Sequence, residues 1–208
     1  MPPRVRPARK EDLKAIGEVA YATAWLGDSL SGRFSDRRLF TELFVRPYLE
    51  AGVAAFVAEE DGRVLGYALA ARVLDLFRWF LLPPRLGLIP AFFRLSPAER
   101  RLLGGMLTAG APHAPLRAYP AELHINLLPE ARGKGLGKAL LSALLSALEE
   151  QSFAGVQLGT TSENRAALGL YHRFGFREYA RRPSRFWSQA LGRPVEAIRL
   201  VKPLKTPK

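Results

Sequence analysis

The residues best suited to chemistry form a turn with three alternating glycines, Arg132-Gly133-Lys134-Gly135-Leu136-Gly137. The preceding residues 122–128 mix alternating apolar side chains with β-forming residues, so they predict a strand. From Lys138 onward the leucines recur with a period of about 3.6 residues, which predicts an amphipathic helix. Glycine lets the backbone approach a ligand closely, and the free N–H groups at a helix start attract an anion. The sequence therefore predicts a phosphate-binding turn between a strand and a helix.

Two well-known phosphate-binding loops do not match this turn. A Walker A loop requires Ser or Thr after Gly-Lys, whereas Lys138 is followed by Ala139. A dinucleotide-binding fingerprint requires a third glycine at the position that Lys138 occupies. The turn instead resembles the acyl-CoA-binding signature of the GNAT family of N-acetyltransferases, Gln/Arg-x-x-Gly-x-Gly/Ala. A glycine-rich hairpin is the alternative, and the flanking strand and helix argue against it.

A second segment, residues 164–176, strengthens the resemblance. It matches every named position of the family's second motif, Asn-x-x-Ala-x-x-x-Tyr-x-x-x-Gly-Phe, and it begins 32 residues after Arg132. This separation leaves room for one helix and one strand. The matching residues are Asn164, Ala167, Tyr171, Gly175 and Phe176. Two motifs in the expected order indicate that the chain resembles this family over residues 5–201.

The resemblance implies an α/β (α+β) GNAT fold. Its mixed, mostly antiparallel sheet of about seven strands is flanked by helices, and its fourth and fifth strands splay apart. The pantetheine arm of acetyl-CoA then bonds to the exposed edge of the fourth strand, and its pyrophosphate rests on the glycine turn, shaped by Arg132. Asn164 contacts the pantetheine arm, caps a helix, or does both. The implied cofactor-binding residues are Leu127, Leu128, Arg132, Gly133, Lys134, Gly135, Gly137, Lys138, Asn164 and Tyr171.

Three residues are candidates for the chemistry of acetyl transfer. Tyr171 is placed by the motif to protonate the departing thiolate, because phenols and thiols have comparable pKa values, about 10 and about 8.5. The alternative is a core tyrosine. Glu122 and His124 alternate along the fourth strand and share a face with Asn126. His124 is a candidate base because imidazole titrates near neutrality, and Glu122 is a candidate to orient the amine or a water. Each of the two also has a purely structural alternative.

The implied function is acetyl-CoA-dependent transfer of an acetyl group to a primary amine of a small molecule, peptide or protein by direct attack. A sensor that binds acyl-CoA without turnover is the alternative from another class. Nucleic-acid binding is the third, because the net charge is +12. The basic residues are scattered rather than clustered, which favours general surface charge and argues against a nucleic-acid partner. We expect a monomer or a homodimer.

Composition narrows the remaining possibilities. The 208 residues fit a single domain, residues 1–208, with 48% hydrophobic residues to build its core. The chain has no cysteine, and its three histidines lack metal-ligand spacing, so we expect neither disulfides nor a metal site. The first residues contain no apolar stretch typical of a signal peptide, which favours a cytoplasmic location. Charges and prolines interrupt residues 74–95, so this most apolar span is not expected to cross a membrane.

Periodicity and turn signals predict the other elements. Helices are expected over residues 11–25 and 36–50, and residues 74–120 form a helical insertion between strands 3 and 4, with helices over 75–82, 85–95 and 97–109. The aromatic residues of the insertion either pack internally or shape an acceptor pocket; they are Phe77, Trp79, Phe80, Phe92 and Phe93. The remaining strands are expected at residues 5–8, 53–59, 64–73, 155–160, 176–180 and 195–201, with a helix at 165–174, a basic loop at 181–193 and a loose tail at 202–208.

A finer resemblance concerns the fourth strand. Residues 123–130, LHINLLPE, are similar to the corresponding strand of the acetyltransferase-like domain attached to O-GlcNAc hydrolases and of its bacterial relatives. Some members of that group lack the glycine turn, whereas this chain keeps it. The group often has an aspartate where this chain has Asn126, so a base role of that aspartate does not transfer.

Overall fold

The computed structural model describes residues 2–81 and 88–204. The strands are β1 Arg4–Pro7, β2 Gly52–Glu60, β3 Arg63–Arg72, β4 Ala121–Leu127, β5 Gly155–Thr161, β6 Arg177–Pro183 and β7 Glu196–Pro203. The helices are α1 Leu13–Thr23, α2 Arg37–Phe44, α3 Arg46–Glu50, α4 Val73–Phe80, α5 Ile89–Arg94, α6 Pro97–Thr108, α7 Leu136–Glu150, α8 Arg165–Arg173 and α9 Arg185–Leu191. None of the helices in these ranges has the length and apolar character that spanning a membrane requires.

The strands form one sheet in the order β1-β2-β3-β4-β5-β7-β6. All neighbouring strands are antiparallel except β4 and β5, which are parallel. The predicted mixed, mostly antiparallel sheet of seven strands is therefore confirmed, as is the insertion of helices between the third and fourth strands.

Each face of the sheet carries its own apolar core. On one face α7 buries the leucines that its period placed together, and Leu140, Leu141, Leu144 and Leu148 have no exposed surface. On the other face α1 packs over β3 and α2 packs against α1, and Ile16, Leu39 and Tyr67 belong to one buried cluster. Helices thus cover both faces of the sheet at β3, whereas β6 at the edge of the sheet is largely exposed.

The predicted second helix is wrong in one respect, because it is two helices. Asp36 begins α2 as expected, accepting a hydrogen bond from the Leu39 amide at 2.8 Å. The helical path then breaks at Val45, and α3 begins with Pro47 in its first turn. Proline has no N–H and its ring clashes with the carbonyl four residues earlier, so one continuous helix is not possible here.

The C-terminal region also differs from its prediction. The expected basic loop at 181–193 is wrong: β6 continues to Pro183, and α9 begins after the capping residue Ser184. The rings of Phe186 and Trp187 pack against Trp25, with centroid distances of 6.1 and 5.0 Å, and this packing stabilises α9. The many arginines of this segment had led to the prediction of a loop. The tail is not loose at its start, because β7 runs through Pro203 and Leu204 is buried. The predicted features at 82–87 and 205–208 lie outside the described residues.

Glu99 in the first turn of α6 connects the insertion to the loop before α2. One carboxylate oxygen accepts hydrogen bonds from the amide and hydroxyl of Ser96, at 2.9 and 2.7 Å. The other accepts from the amide and hydroxyl of Ser35, at 2.7 and 2.6 Å. The bonds from Ser35, together with those from Ser96, lower the pKa of Glu99 to about 2. The carboxylate form is therefore the one that stabilises this junction.

We expect Glu99→Gln to destabilise the protein at pH 7 by about 1 kcal/mol, a value reduced for the exposure of this site to solvent. Because the folded-state pKa is below the unfolded value, the wild-type advantage is complete above pH 4.5 and is lost as the pH falls towards 2. Urea unfolding of both proteins at pH 7 and pH 3 measures this change. A difference that stays constant with pH contradicts the assignment.

Candidate functional site

The cavity that forms the candidate site begins where β4 and β5 separate. The two strands pair only through Ala121 with Val156 and Glu122 with Gln157, and they diverge towards their C-terminal ends. A cavity of about 1190 Å³ occupies this opening and extends between the sheet, α1, α2 and the end of the insertion. The predicted splay of the fourth and fifth strands is thus confirmed.

The free edge of β4 presents one of the two predicted residues, Leu127, together with Ile125 rather than Leu128. The Leu128 amide donates to the Leu65 carbonyl at 2.9 Å, and the Leu128 carbonyl accepts from Ala131 at 3.0 Å, so both groups are engaged. Leu128 therefore does not fit the predicted edge contact. Because backbone groups alternate in direction along an antiparallel pair, Leu127 and Ile125 direct theirs to the opposite edge. Both of these residues line the cavity, as the predicted contact of Leu127 requires.

The glycine turn lies at one end of the cavity. Gly133 and Gly135 both have φ of +76°, a conformation that favours glycine, and a Cβ at either position would meet no atom within 4 Å. Gly135 is the N-cap of α7 and has no side chain to cap it, so the first backbone N–H groups of this helix are left to bond to a ligand. The turn fits an anion because these donors, the positive end of the helix dipole and open space coincide.

The cations of the turn have three different placements. Arg132 lines the cavity and donates from Nη2 to the Gly27 carbonyl at 2.7 Å, which ties the turn to the segment after α1. Lys138 lines the cavity from the first turn of α7. Lys134 is not among the lining residues, and its Nζ lies 3.8 Å from Glu60. Arg132 and Lys138 therefore suit the predicted phosphate site, whereas the Lys134 side chain faces another partner.

The second motif lies on α8, across the cavity from β4. Asn164 caps this helix, accepting from the Ala167 amide at 3.4 Å, and its side chain also lines the cavity. Tyr171 follows two helical turns later, is 6% exposed and packs its ring against Phe176 with a centroid distance of 5.7 Å. Within the described residues its hydroxyl makes no hydrogen bond, and burial raises its pKa. The phenol is thus protonated at neutral pH and free to donate.

The β4 face towards α1 carries Glu122, His124 and Asn126, as the alternation predicted. Asn126 Nδ2 donates to the Tyr67 hydroxyl at 3.0 Å, and that hydroxyl lies 3.2 Å from Nδ1 of His124. We assign the Tyr67 proton to the His124 contact, which leaves the imidazole proton on Nε2. Burial lowers the pKa of His124 to about 4, although the charge of Glu122 raises it. His124 is therefore neutral at pH 7 and a weak base.

Glu122 is held by two basic side chains. Arg199 Nη1 donates to Oε1 at 2.7 Å, and His113 Nε2 lies 2.9 Å from Oε2. Burial raises the pKa of Glu122, but the bond to His113 and the positive charge of Arg199 outweigh it, so the pKa is below its ordinary value. The carboxylate stays ionised, and its partners occupy both of its oxygens.

The cavity has an aromatic wall, which includes Phe40 and Phe44 of α2, Tyr48 of α3 and Trp187 of α9. Residues 106–113, at the end of α6 and after it, also line the cavity. The predicted insertion aromatics do not contribute to it. Of these five, Trp79 is buried, whereas the exposed fractions are 57% for Phe77, 42% for Phe80, 38% for Phe92 and 68% for Phe93.

Four residues of the site were not singled out from the sequence: Tyr48, Tyr67, His113 and Arg199. Arg199 had a readable signal, because a charge within the apolar strand β7 requires a buried partner. Tyr67 and Tyr48 had none, since tyrosines in predicted strands and helices are ordinary core residues. Among the described residues, no group of three or more acidic or histidine side chains is arranged to hold a metal ion.

Comparison with known proteins agrees with this arrangement. Residues 20–176 match the Acetyltransferase (GNAT) family. An N-acetyltransferase of Streptomyces griseus is 33% identical over 121 residues, which are 53% of this chain and 61% of that protein. A mycothiol acetyltransferase of an Arthrobacter species is 35% identical over 132 residues, 62% of this chain and 38% of that protein. The chain thus spans less than two thirds of these relatives.

Solved structures give the same result for the fold. The crystal structure of SsHAT superposes with a TM-score of 0.73 and 29% identity, covering 97% of this chain and 98% of that one. A phosphinothricin acetyltransferase from Sinorhizobium meliloti, solved in complex with AcCoA, has a TM-score of 0.62 and 22% identity, covering 100% and 94%. The chain belongs to the acetyltransferase (GNAT) family. The finer resemblance to the domain attached to O-GlcNAc hydrolases stays a prediction.

Proposed function

We propose that this protein transfers an acetyl group from acetyl-CoA to a primary amine of a small molecule or peptide. The observation that carries the proposal is the continuity of one cavity. It runs from an open, left-handed glycine turn, past the free edge of β4, to the aromatic wall and the hydroxyl of Tyr171, which has no hydrogen-bond partner among the described residues. Acetyl transfer requires a binding site for the acyl-CoA donor that is continuous with a binding site for the amine acceptor.

The donor end is suited to the diphosphate and the pantetheine arm of CoA. The amides of Gly133, Gly135, Gly137 and Lys138 would hold the diphosphate, with the side chains of Arg132 and Lys138 adding positive charge. The backbone groups of Leu127 and Ile125 would bind the amide groups of the pantetheine arm in the manner of an added strand. Asn164 would serve both as helix cap and as a contact for the arm.

The chemistry requires balanced proton movements. Acetyl-CoA supplies an activated acyl group, and transfer to an ammonium forms one C–N bond, breaks one C–S bond and removes two protons from nitrogen. One of these protons ends in solvent, and the thiol ends with the other. Tyr171 is the proton donor for the thiolate, because its hydroxyl is protonated and has no competing partner among the described residues. Glu122 and His124 lie on the acceptor side, where the amine must lose its protons.

Charge in the cavity favours a particular class of acceptor. Among the described lining residues Glu122 is the one acidic side chain, and Arg199 already neutralises it. The wall at the same end is aromatic, so it offers apolar area rather than charge. An amine carried by an apolar or aromatic body is therefore favoured over a polycation. Relatives named mycothiol acetyltransferase and phosphinothricin N-acetyltransferase support a small-molecule acceptor.

We expect tyramine to be acetylated with a kcat/KM at least about tenfold above that of spermidine. The aromatic wall suits the tyramine ring, whereas the one described carboxylate of the cavity is already paired with Arg199 and does not compensate the charges of the polyamine. Release of free thiol from acetyl-CoA measures both rates, and the acetylated amine is identified by mass spectrometry. Tight binding of acetyl-CoA with no amine-dependent thiol release would contradict the enzyme and support an acyl-CoA sensor. DNA binding without any thermal shift from CoA would contradict both.

A further inference from the structure

The cavity contains a chain of three charged or titratable side chains: Arg199, Glu122 and His113. Their side chains are 4%, 17% and 38% exposed, so exposure increases from Arg199 through Glu122 to His113. Glu122 is the middle member of this chain, because one of its carboxylate oxygens contacts Arg199 and the other contacts His113. The member available to a ligand is therefore the imidazole of His113.

The end of the insertion holds His113 in a defined position. Arg199 donates to the carbonyls of Ala111 and Pro112, at 3.0 and 3.3 Å, immediately before His113. Arg182 of β6 donates to the carbonyl of Thr108 at 3.0 Å and also to that of Gly110. Two arginines from neighbouring strands thus fix the backbone that leads to the imidazole, and His113 lines the cavity as a result.

The contacts of His113 also select its tautomer. An ionised carboxylate accepts hydrogen bonds only, so in the neutral imidazole of His113 the contact with Glu122 places the proton on Nε2 and leaves a lone pair on Nδ1. A carboxylate orients the histidine base of hydrolytic triads by the same logic. The groups that face His113 are Glu122 from β4, Arg199 beyond it on β7, and the uncharged ring of Phe77 from α4, 6.1 Å away between centroids.

The other candidates for a base are engaged elsewhere. Nδ1 of His124 receives the Tyr67 hydroxyl, and its Nε2 carries the proton under that assignment. Glu122 has a partner on each oxygen. Among the three residues, only His113 combines a free lone pair with exposure to the cavity.

We propose that His113 accepts the proton of the acceptor ammonium group, and that Glu122 and Arg199 are positioning residues. The inference rests on the acetyltransferase function proposed above. The N–H bond of the ammonium breaks, the proton moves to Nδ1 of His113, and the lone pair that remains on nitrogen attacks the acetyl carbonyl. His113 then loses the proton to solvent, which its exposed edge reaches. The insertion thus supplies the base, and β4 holds it in place.

His113→Gln tests this role, because the glutamine amide still donates to Glu122 but accepts no proton at pH 7. We expect kcat/KM to fall about tenfold near pH 7, and the deficit to shrink towards pH 9.5, where more of the ammonium has already lost its proton to solvent and needs no base. The affinity for acetyl-CoA, measured by calorimetry, stays unchanged. The control is His172→Gln, which changes an exposed histidine on α8 outside the cavity and keeps the wild-type pH profile.

A second variant separates proton transfer from structure. Added imidazole restores part of the activity of His113→Ala if a base is missing. A pH-independent deficit without rescue by imidazole indicates a structural role and overturns the inference. Wild-type activity in His113→Gln overturns it as well, while leaving the acetyltransferase function intact. A wild-type protein that acetylates no amine rejects the proposed function and the inference together.

Discussion

Gly135→Val raises the Kd for acetyl-CoA about 100-fold, which corresponds to about 3 kcal/mol. Gly135 has φ of +76° and is the N-cap of α7, where its neighbouring amides face open space. A valine would place two methyl groups over these amides and would strain the backbone. Loss of charge-assisted hydrogen bonds, each contributing about 1.5–3 kcal/mol, accounts for the expected change. Isothermal titration calorimetry at pH 7 measures it.

Gly62→Val is the matched control for this substitution. Gly62 lies in the hairpin between β2 and β3 with φ of +78°, and a Cβ there would also meet no atom within 4 Å. Both variants therefore carry the same backbone strain, about 1–2 kcal/mol, and similar losses in Tm. Only Gly135→Val should lose affinity for acetyl-CoA. Equal affinity of the two variants would show that the turn does not bind the diphosphate.

Tyr171→Phe lowers kcat about 10²-fold, the range expected when a general acid is removed. The substitution deletes a hydroxyl that has no hydrogen-bond partner among the described residues and keeps the ring that packs on Phe176. Stability and the Kd for acetyl-CoA should therefore stay within about twofold of the wild type. Steady-state thiol release, together with calorimetry, separates the effect on turnover from that on binding.

The control for this second substitution is Tyr179→Phe. Tyr179 is 48% exposed on β6 and does not line the cavity, so its hydroxyl has no expected role in turnover. If Tyr171→Phe and Tyr179→Phe both keep the wild-type kcat, Tyr171 is a core residue, which is the alternative that the sequence left open. A leaving thiolate would then take its proton from solvent.

The accuracy of the sequence predictions depends on how local the responsible interactions are. The glycine turn, the leucine face of α7 and the Asn164 cap each arise within one short segment, and all of them were predicted correctly. The split of the predicted second helix into α2 and α3 has a local cause, Pro47, but the error in the C-terminal region arose where a distant contact changed the local outcome. The helix α9 forms inside a predicted loop because its aromatic rings pack on Trp25, which is more than 150 residues earlier in the chain.

The edge of β4 illustrates the same limit at finer scale. Alternation along residues 122–128 correctly grouped Glu122 with His124, because side-chain direction follows from the strand itself. The direction of the backbone groups depends on which residues bond to β3, and the register places Leu128 against Leu65. The prediction for Leu128 therefore failed, although the adjacent Leu127 kept a suitable position.

The sequence alone determined the family, the order of the strands and the donor end of the cavity, because two motifs, each contiguous in the chain, identify the family and its glycine turn. Only the tertiary structure decided how the acceptor end is built. Arg199 is 77 residues from Glu122, and Tyr67 is 57 residues from His124, and these pairs meet because of strand order and register. Such contacts produce no recognisable spacing of residues in the sequence, because each residue fits the alternation of its own strand whether or not its partner is present.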